Sequence, residues 1–220
     1  MAVIEPRQVT LKDGTRLWVR SAGVEDVDGA RALRADLINS SDHQVSGPGD
    51  EWTREMALEK LEKATAAPGH LWLVASPGRE PGAGVVGSIN FRSEDRKRIE
   101  HHGSFGIGNL AAWRGRGVGT ALIEVMLDWA AANEVIEKVT LGCFATNKGA
   151  RKLYRRLGFK TESRARKFFK LGPGKYVDDI QMCIYVKPGV APEGFETWKH
   201  GTNTEEDRGR AERNSEPSHE

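Results

Sequence analysis

The chain has 220 residues, enough for one domain with a well-formed core, and 38% of them are hydrophobic and 29% charged, as in ordinary globular proteins. It contains no apolar run near the roughly 18 residues of a membrane-spanning helix, and residues 1–9 lack the apolar segment of a signal peptide. Cys143 and Cys183 lie in apolar, strand-like runs, which argues against a secreted disulfide framework. We therefore predict a cytoplasmic protein without a membrane segment.

The net charge of +2 is unevenly distributed along the chain. Residues 189–220 contain eight acidic and four basic residues, so residues 1–188 carry the positive excess. The end of the chain has no apolar periodicity and cannot bury enough surface to offset the entropy of ordering it. Pro188-Gly189 marks the boundary. We predict a single domain over 1–188 and a polar, flexible tail over 189–220.

The first half of the domain predicts a hairpin and two helices. Residues 8–20 alternate around Asp13-Gly14, a hairpin pattern. Helical spacing of apolar residues predicts helices over 24–38 and 52–66, joined by a polar loop over 39–50.

The second half alternates strands with helices. Apolar runs predict strands at 71–76, 85–92, 102–110, 138–144, 159–163 and 179–186, and helical periodicity predicts helices at 117–133 and 147–157. A loop over 163–176 separates the last two strands in this interpretation. The alternation predicts an α/β domain.

The segment Arg114-Gly-Arg-Gly-Val-Gly-Thr120 joins a predicted strand to the most regular predicted helix. Its glycines leave the backbone open to a ligand, and the N–H groups of the first helical turn suit a phosphate or pyrophosphate. Arg114 and Arg116 could add charge and paired donors. A glycine-rich turn with two solvated arginines is the alternative. The phosphate-loop pattern G-x-x-x-x-G-K-[ST] is absent, and the dinucleotide pattern G-x-G-x-x-G would need glycine at Thr120.

A second motif, Asn147-Lys-Gly-Ala-Arg-Lys-Leu-Tyr154-Arg-Arg-Leu-Gly-Phe159, follows one strand later. Its apolar residues form one face of a short helix. Asn147 could cap that helix or bind a ligand amide. Tyr154 is either a core tyrosine with a bonded hydroxyl or a residue that presents its hydroxyl to a site.

Together the two motifs resemble the signature motifs of the GNAT superfamily of N-acetyltransferases, and the resemblance covers about residues 15–186. It implies an α/β fold with a mixed, twisted central sheet flanked by helices in a single domain. It also implies transfer of an acetyl group from acetyl-CoA to a primary amine by direct attack on the thioester, with no metal.

The resemblance also implies roles for particular residues. Tyr154 would protonate the departing thiolate, backbone groups of residues 109–111 would bind the pantetheine arm, and the amide near Leu110 would polarise the thioester carbonyl. The implied cofactor-binding set is Asn109, Leu110, Ala111, Arg114, Gly115, Arg116, Gly117, Val118, Gly119, Thr120 and Asn147.

The general base is not evident, because the strand over 101–109 contains no acidic residue. His102 is the favoured candidate, since its ordinary pKa of about 6.5 suits proton transfer near neutrality. Glu94, Glu100, His101 and a chain of water molecules are the others. A lone histidine at a strand start is more often structural or solvated.

The sequence does not distinguish an amino acid, a small amine and a protein amine as the acetyl acceptor. Nine basic residues between Arg151 and Lys170 form either a solvated surface or a site for an acidic partner, although no stacking platform supports nucleic-acid binding. Cys143 lacks an adjacent histidine, which favours core packing over nucleophilic catalysis. The alternatives are a CoA-binding regulatory module without turnover, a basic nucleic-acid-binding protein and a nicotinamide-binding protein. A homodimer is also open.

Overall fold

The computed structural model describes residues 3–199, which form one eight-stranded sheet with helices on both faces. The strands are β1 (Arg7–Thr10), β2 (Arg16–Ser21), β3 (His70–Ser76), β4 (Gly87–Ser93), β5 (His102–Asn109), β6 (Lys138–Phe144), β7 (Lys160–Gly172) and β8 (Lys175–Tyr185). The helices are α1 (Val27–Ser40), α2 (Arg54–Ala66), α3 (Val118–Ala132) and α4 (Lys148–Arg156), with 3-10 turns at Val24–Asp26 and Ala111–Trp113. None of the helices in this range is long and apolar enough to cross a membrane.

The sheet is mixed, with strand order β1-β2-β3-β4-β5-β6-β8-β7. Leu71 and Leu73 on β3 pack in the main core with α3, while Trp72 and Val74 pack with α1 and α2 on the opposite face. Both faces of β3 are therefore buried, which explains its continuous apolar sequence. The predicted α/β class, the mixed sheet and the single domain with flanking helices are confirmed.

The centre of the sheet opens between β5 and β6. These neighbours are the parallel pair, and their ladder runs only from His102 opposite Lys138 to Ser104 opposite Thr140. Beyond that point β5 stays paired with β4 and β6 with β8. The two strands therefore diverge, which leaves a gap in the middle of the sheet.

The observed elements agree with the sequence prediction except in one segment. The loop predicted over 163–176 is wrong, because β7 and β8 form a long hairpin with a tight turn between Gly172 and Lys175. Nearly every residue of β7 is exposed. Since neither face of this edge strand is buried, its sequence shows no apolar alternation to reveal it. Bulges interrupt the ladder, and Lys167 has a positive φ of 53° at one of them.

A buried ion pair fixes the start of α1 to β2. Arg20 donates two hydrogen bonds to Asp26, at 2.5 and 2.8 Å, and the two side chains are 3% and 1% exposed. Burial alone would raise the pKa of Asp26. The hydrogen bonds from Arg20 and from the backbone N–H groups of Gly23 and Gly82 outweigh it, and the pKa of Asp26 is lowered. The pair holds the helix that leads into the site.

The predicted tail differs from the structure in its first part. Trp198 packs against the main core, and its indole Nε1 donates to Asp128 Oδ1 at 3.1 Å. The ring of Phe195 meets that of Tyr185, and Thr197 forms a parallel bridge with the same tyrosine. The prediction that this stretch lies free of the domain is therefore wrong, because two isolated aromatics can dock without any periodicity. The predicted flexibility of 200–220 lies outside the described residues.

Candidate active site

The gap between β5 and β6 opens into a cavity of about 770 Å³. Its walls come from β5, the glycine-rich loop with the start of α3, the end of β6, α4 and the segment that follows α1. Both sequence motifs therefore lie on one cavity, although a helix and a strand separate them in the chain.

The glycine-rich loop presents open backbone at the start of α3. Gly117 is the N-cap residue and has a φ of 106°, a left-handed conformation that favours glycine. A Cβ at Gly115 would meet no atom within 4 Å, and one at Gly117 would meet its nearest atom at 3.8 Å. The N–H groups of Val118, Gly119 and Thr120 have no partner within the helix because they lie in its first turn. The loop is thus a suitable cradle for a phosphate group.

The two arginines of this loop are engaged with protein groups. Arg114 donates to Ser40 through its backbone oxygen at 3.0 Å and its hydroxyl at 2.6 Å, but it still lines the cavity. Arg116 pairs with Asp13 at 2.7 Å, and it lies outside the cavity lining. The expectation that Arg116 binds the cofactor is therefore not supported, because its guanidinium fastens the loop to the β1–β2 turn.

Three other cations line the same cavity: Lys12, Lys152 and Arg156. Arg156 lies on α4 and donates to the hydroxyl of Thr120 at 3.2 Å, which joins the two motifs. Lys12 follows the first strand of the N-terminal hairpin, about 100 residues earlier in the chain. The sequence could not single it out, because only the fold brings that hairpin beside the loop.

At the end of β5, the backbone N–H groups predicted to bind the cofactor form hydrogen bonds within the protein. The N–H of Leu110 donates to Val86 O at 3.0 Å, and that of Ala111 donates to Asp36 Oδ2 at 3.0 Å. Both amides are occupied, so the predicted polarisation of the thioester by the Leu110 amide is not supported. Backbone groups alternate in direction along a strand. Because residue 110 bonds toward β4, the groups of Phe105, Ile107 and Asn109 face the gap.

The two asparagines of the motifs occupy different environments. Asn147 Oδ1 accepts from the N–H of Ala150 at 3.1 Å, which makes it the cap of α4, and its residue also lines the cavity. Both alternatives for Asn147 are thus compatible with its position. Asn109 Oδ1 is buried and has no hydrogen-bond partner among the described residues. A buried carbonyl oxygen of this kind needs a donor, which a bound ligand could supply.

Tyr154 lines the cavity from α4 and is only 7% exposed. Its ring packs edge-on against Phe105 and Phe159. None of the described residues forms a hydrogen bond with its hydroxyl, so this is not a core tyrosine with a bonded OH. Burial raises the pKa of Tyr154 well above its ordinary value. The hydroxyl therefore stays protonated at neutral pH and can donate.

The cysteines behave as core residues. Both are free and buried, and burial raises the pKa of Cys143 to about 11 and that of Cys183 to about 11. Neither forms a thiolate at neutral pH. The predicted packing role of Cys143 is confirmed.

The structure does not bring His102 to the cavity. It starts β5, seven residues before Asn109, and lies beside His101. At about 3.3 Å per residue the two ends of the strand are roughly 23 Å apart. Burial, together with the nearby charges of His101 and Lys138, lowers the pKa of His102. None of the other side-chain candidates, Glu94, Glu100 and His101, lines the cavity either.

The far wall of the cavity is aromatic. Phe144 at the end of β6 stacks on Phe169 of β7 with ring centroids 3.8 Å apart. His43, in the segment after α1, meets the same Phe144 edge-on. Sequence reasoning singled out none of these three side chains, because Phe144 ends a predicted strand and His43 and Phe169 lie in predicted loops. The described part of the chain has no group of His, Cys, Asp and Glu that could hold a metal ion.

The sequence profile of the acetyltransferase (GNAT) family matches residues 37–159, more than half of the chain. The chain belongs to the GNAT family of acetyltransferases. It is an enzyme that transfers an acetyl group from acetyl-CoA to an amine, as the resemblance of its two motifs implied. The matched range contains both motifs, and the predictions of family, activity and acetyl donor are confirmed.

Individual relatives agree with this membership. The L-amino acid N-acetyltransferase AaaT of Escherichia coli (strain K12) is 28% identical over 170 residues, which cover 77% of this chain and 98% of that protein. An acetyltransferase of the GNAT family from Streptococcus pneumoniae has a TM-score of 0.70 at 24% identity, over 77% of this chain and 99% of that one. A phosphinothricin acetyltransferase from Sinorhizobium meliloti, solved in complex with acetyl-CoA, has a TM-score of 0.69 at 16% identity, over 85% of this chain and 96% of that one. These two structures share the fold.

Proposed function

We propose that this GNAT enzyme acetylates the amino group of a free amino acid or a similarly small amine. The observation that carries the proposal is the single cavity, which joins the phosphate cradle, the open edge of β5 and Tyr154. The segment after α1 contributes His43 and Val45 to its wall, so the acceptor side is partly enclosed. The alignment with an L-amino acid N-acetyltransferase over nearly all of that protein supports the same substrate class.

We assign the pyrophosphate of acetyl-CoA to the first turn of α3. The N–H groups of Val118, Gly119 and Thr120 are donors there, and the positive end of the helix dipole favours the anion. Arg156 and Lys152 add positive charge from α4. The pantetheine amides are assigned to the free backbone groups of β5. The unpartnered Asn109 Oδ1 and the open glycines fit such a ligand.

We assign Tyr154 as the general acid. The acetyl group must leave sulphur for nitrogen, and the thiolate that departs needs a proton. The buried hydroxyl is protonated, faces the cavity and has no competing acceptor among the described side chains. Phe105 and Phe159 hold the ring in place.

The acceptor amine must lose a proton before or during attack. His102, Glu94, Glu100 and His101 do not line the cavity. Of the general-base candidates that the sequence suggested, only a chain of water molecules remains. His43 is a histidine on the cavity wall, and we propose that it takes or relays this proton. An imidazole suits that role near neutral pH. We further propose a cytoplasmic enzyme, consistent with its two free cysteines.

The test is a thiol-release assay with acetyl-CoA and a panel of L-amino acids, primary amines and a peptide. The proposal expects turnover with at least one free amino acid and less with the peptide. Thermal shifts with acetyl-CoA and NAD, at equal concentrations, test the donor site separately, because a ligand of the native state raises the melting temperature. Turnover with the peptide alone would overturn the small-acceptor proposal.

A further inference from the structure

A second cavity, of about 420 Å³, lies on the sheet face that α2 covers. Its floor is formed by β3, β4 and β5, and α2 forms its opposite wall. It shares Phe105 and Gly106 with the active-site cavity. Gly106 itself has no side chain, and its N–H donates to Asn90 Oδ1 at 3.2 Å, so the Asn90 amide lies where the two spaces meet. The second cavity therefore adjoins the active-site cavity on the side of α2.

The charged side chains on this cavity are mainly cationic. Lys60, Lys63 and Arg92 line it, against a single carboxylate, Glu59. Glu59 is already paired with Lys63 at 2.6 Å. Arg92 has no ion pair within residues 3–199, so its charge is available. The cavity thus holds uncompensated positive charge beside the Gly106 end of the active-site cavity.

His70 supplies a second, independent observation. Its Nε2 is buried and has no hydrogen-bond partner among the described residues, and its side chain is 12% exposed. The nearest carboxylate oxygen, on the exposed Asp95, is 4.0 Å away. The other ring nitrogen lies 3.2 Å from Lys63 O, so it donates there and leaves Nε2 as an acceptor when the ring is neutral. If both ring nitrogens carry a proton, both donate, and Nε2 can then form a hydrogen bond with an anion in the cavity.

The position of Arg92 sets a length for the ligand. Arg92 pairs with Ser104 on β5, two residues before Gly106. Two residues of a strand span about 7 Å. A group bound by the backbone-proximal part of Arg92 is therefore several ångströms from the part of the active-site cavity at Gly106. That separation exceeds the single carbon between the amine and the carboxylate of an α-amino acid, and it suits a second carboxylate further along the molecule.

We propose that the second cavity is an anion subsite for the acceptor, in which Arg92, assisted by Lys60 and His70, binds a side-chain carboxylate of an acidic amino acid such as glutamate. The inference rests on the proposed function and narrows its substrate class. Arg92 is the central residue, because a guanidinium can form two parallel hydrogen bonds with one carboxylate. Glutamate and glutamine differ at this group alone, so they provide a matched substrate pair.

The experiment measures kcat/KM for L-glutamate and L-glutamine with the full chain and with two variants. Arg92→Gln removes the proposed contact, and Lys97→Gln removes a nearby exposed charge that does not line the cavity. We expect the parent enzyme to favour glutamate by about tenfold or more, since a hydrogen bond to a charged group contributes roughly one such factor. Arg92→Gln should abolish the preference through a raised KM for glutamate. Lys97→Gln should retain the preference for glutamate.

Calorimetry with glutarate, which has no amine, gives a readout independent of turnover. We expect the parent protein and Lys97→Gln to bind it and Arg92→Gln to bind at least tenfold more weakly. Turnover without any preference for glutamate, or a preference that survives Arg92→Gln, would overturn the subsite and leave the proposed function standing. Glutarate binding that depends on Arg92, without turnover of any amino acid, would support the subsite and count against the proposed function.

Discussion

Arg116 donates from Nε to Asp13 Oδ2 at 2.7 Å, across 103 positions of the chain. The same guanidinium donates to the hydroxyl of Thr15 at 2.9 Å and lies 4.1 Å above the ring of Trp113. The contact fastens the glycine-rich loop to the turn between β1 and β2. Of the two arginines in this loop that the sequence suggested for phosphate binding, Arg116 therefore positions the loop instead.

The carboxyl of Asp13 provides a pH test of this contact. Hydrogen bonds from the backbone and side chain of Thr15, and then from Arg116, lower its pKa from 3.8 to about 2. A carboxyl with a lowered folded-state pKa stabilises the fold above its ordinary pKa, and the effect is lost as the pH falls through the folded value. We expect an NMR titration of Asp13 near 2. In Arg116→Gln the value should rise only part of the way to 3.8, because Thr15 remains; an unchanged value would contradict the contact.

Arg156 and Arg116 should differ in their effect on acetyl-CoA binding. Arg156 lines the cavity, and Arg116 does not. We expect Arg156→Gln to weaken acetyl-CoA binding about tenfold, the effect of losing one charge-assisted hydrogen bond. Arg116→Gln is the matched control and should change the affinity far less. Calorimetric titration of both variants with acetyl-CoA measures this. Equal losses of affinity would indicate that Arg116 also binds the cofactor.

Tyr154→Phe tests the proposed general acid. Its hydroxyl makes no hydrogen bond with the described residues, so the variant should unfold at nearly the parent temperature. We expect turnover to fall by about a hundredfold or more and acetyl-CoA affinity to change little, because the proton is needed as the C–S bond breaks. Tyr185→Phe, whose ring meets Phe195 away from the cavity, is the control. Near-native turnover in Tyr154→Phe would rule out the role.

Trp198 should contribute to stability, contrary to the tail expected from the sequence. It packs against the core and donates to Asp128. We expect Trp198→Ala to lower the free energy of unfolding by about 2 kcal/mol, less than the loss of a fully buried aromatic. Val190→Ala, at a 39% exposed position in the same segment, should have almost no effect. Urea unfolding followed by circular dichroism measures both, and equal values would show that the docked segment is not stabilising.

Arg20→Met should be severely destabilising. It removes one partner of a buried pair and leaves the ionised Asp26 without its countercharge. The expected loss is about 3–5 kcal/mol. Arg16→Met, on the same strand but exposed, controls for the change of side chain. Because Asp26 has a lowered pKa, the loss should shrink as the pH falls toward its titration, and urea midpoints at neutral and acidic pH would reveal this.

The sequence by itself determined the order of the elements and indicated the glycine-rich loop that we propose binds the cofactor. Apolar periodicity revealed α3 because one side of that helix is buried, and β3 because both of its faces are. Gly115 and Gly117 marked the proposed phosphate cradle, since both have a positive φ, a conformation that favours glycine locally. The two motifs also identified the family. Each of these features depends on neighbours within one element.

Only the tertiary structure decided which groups are free to act. Leu110 and Ala111 are the right residues for the predicted contact, but their N–H groups are used by Val86 and Asp36, which are distant in sequence. His102 has suitable chemistry and lies at the wrong end of its strand. Lys12, His43 and Arg92 carry no motif, and they reach the two cavities through strand pairing and helix packing. A polar group that already forms a hydrogen bond or an ion pair within the protein is not free to bind a ligand. Its function therefore depends on long-range contacts, which only the folded structure reveals.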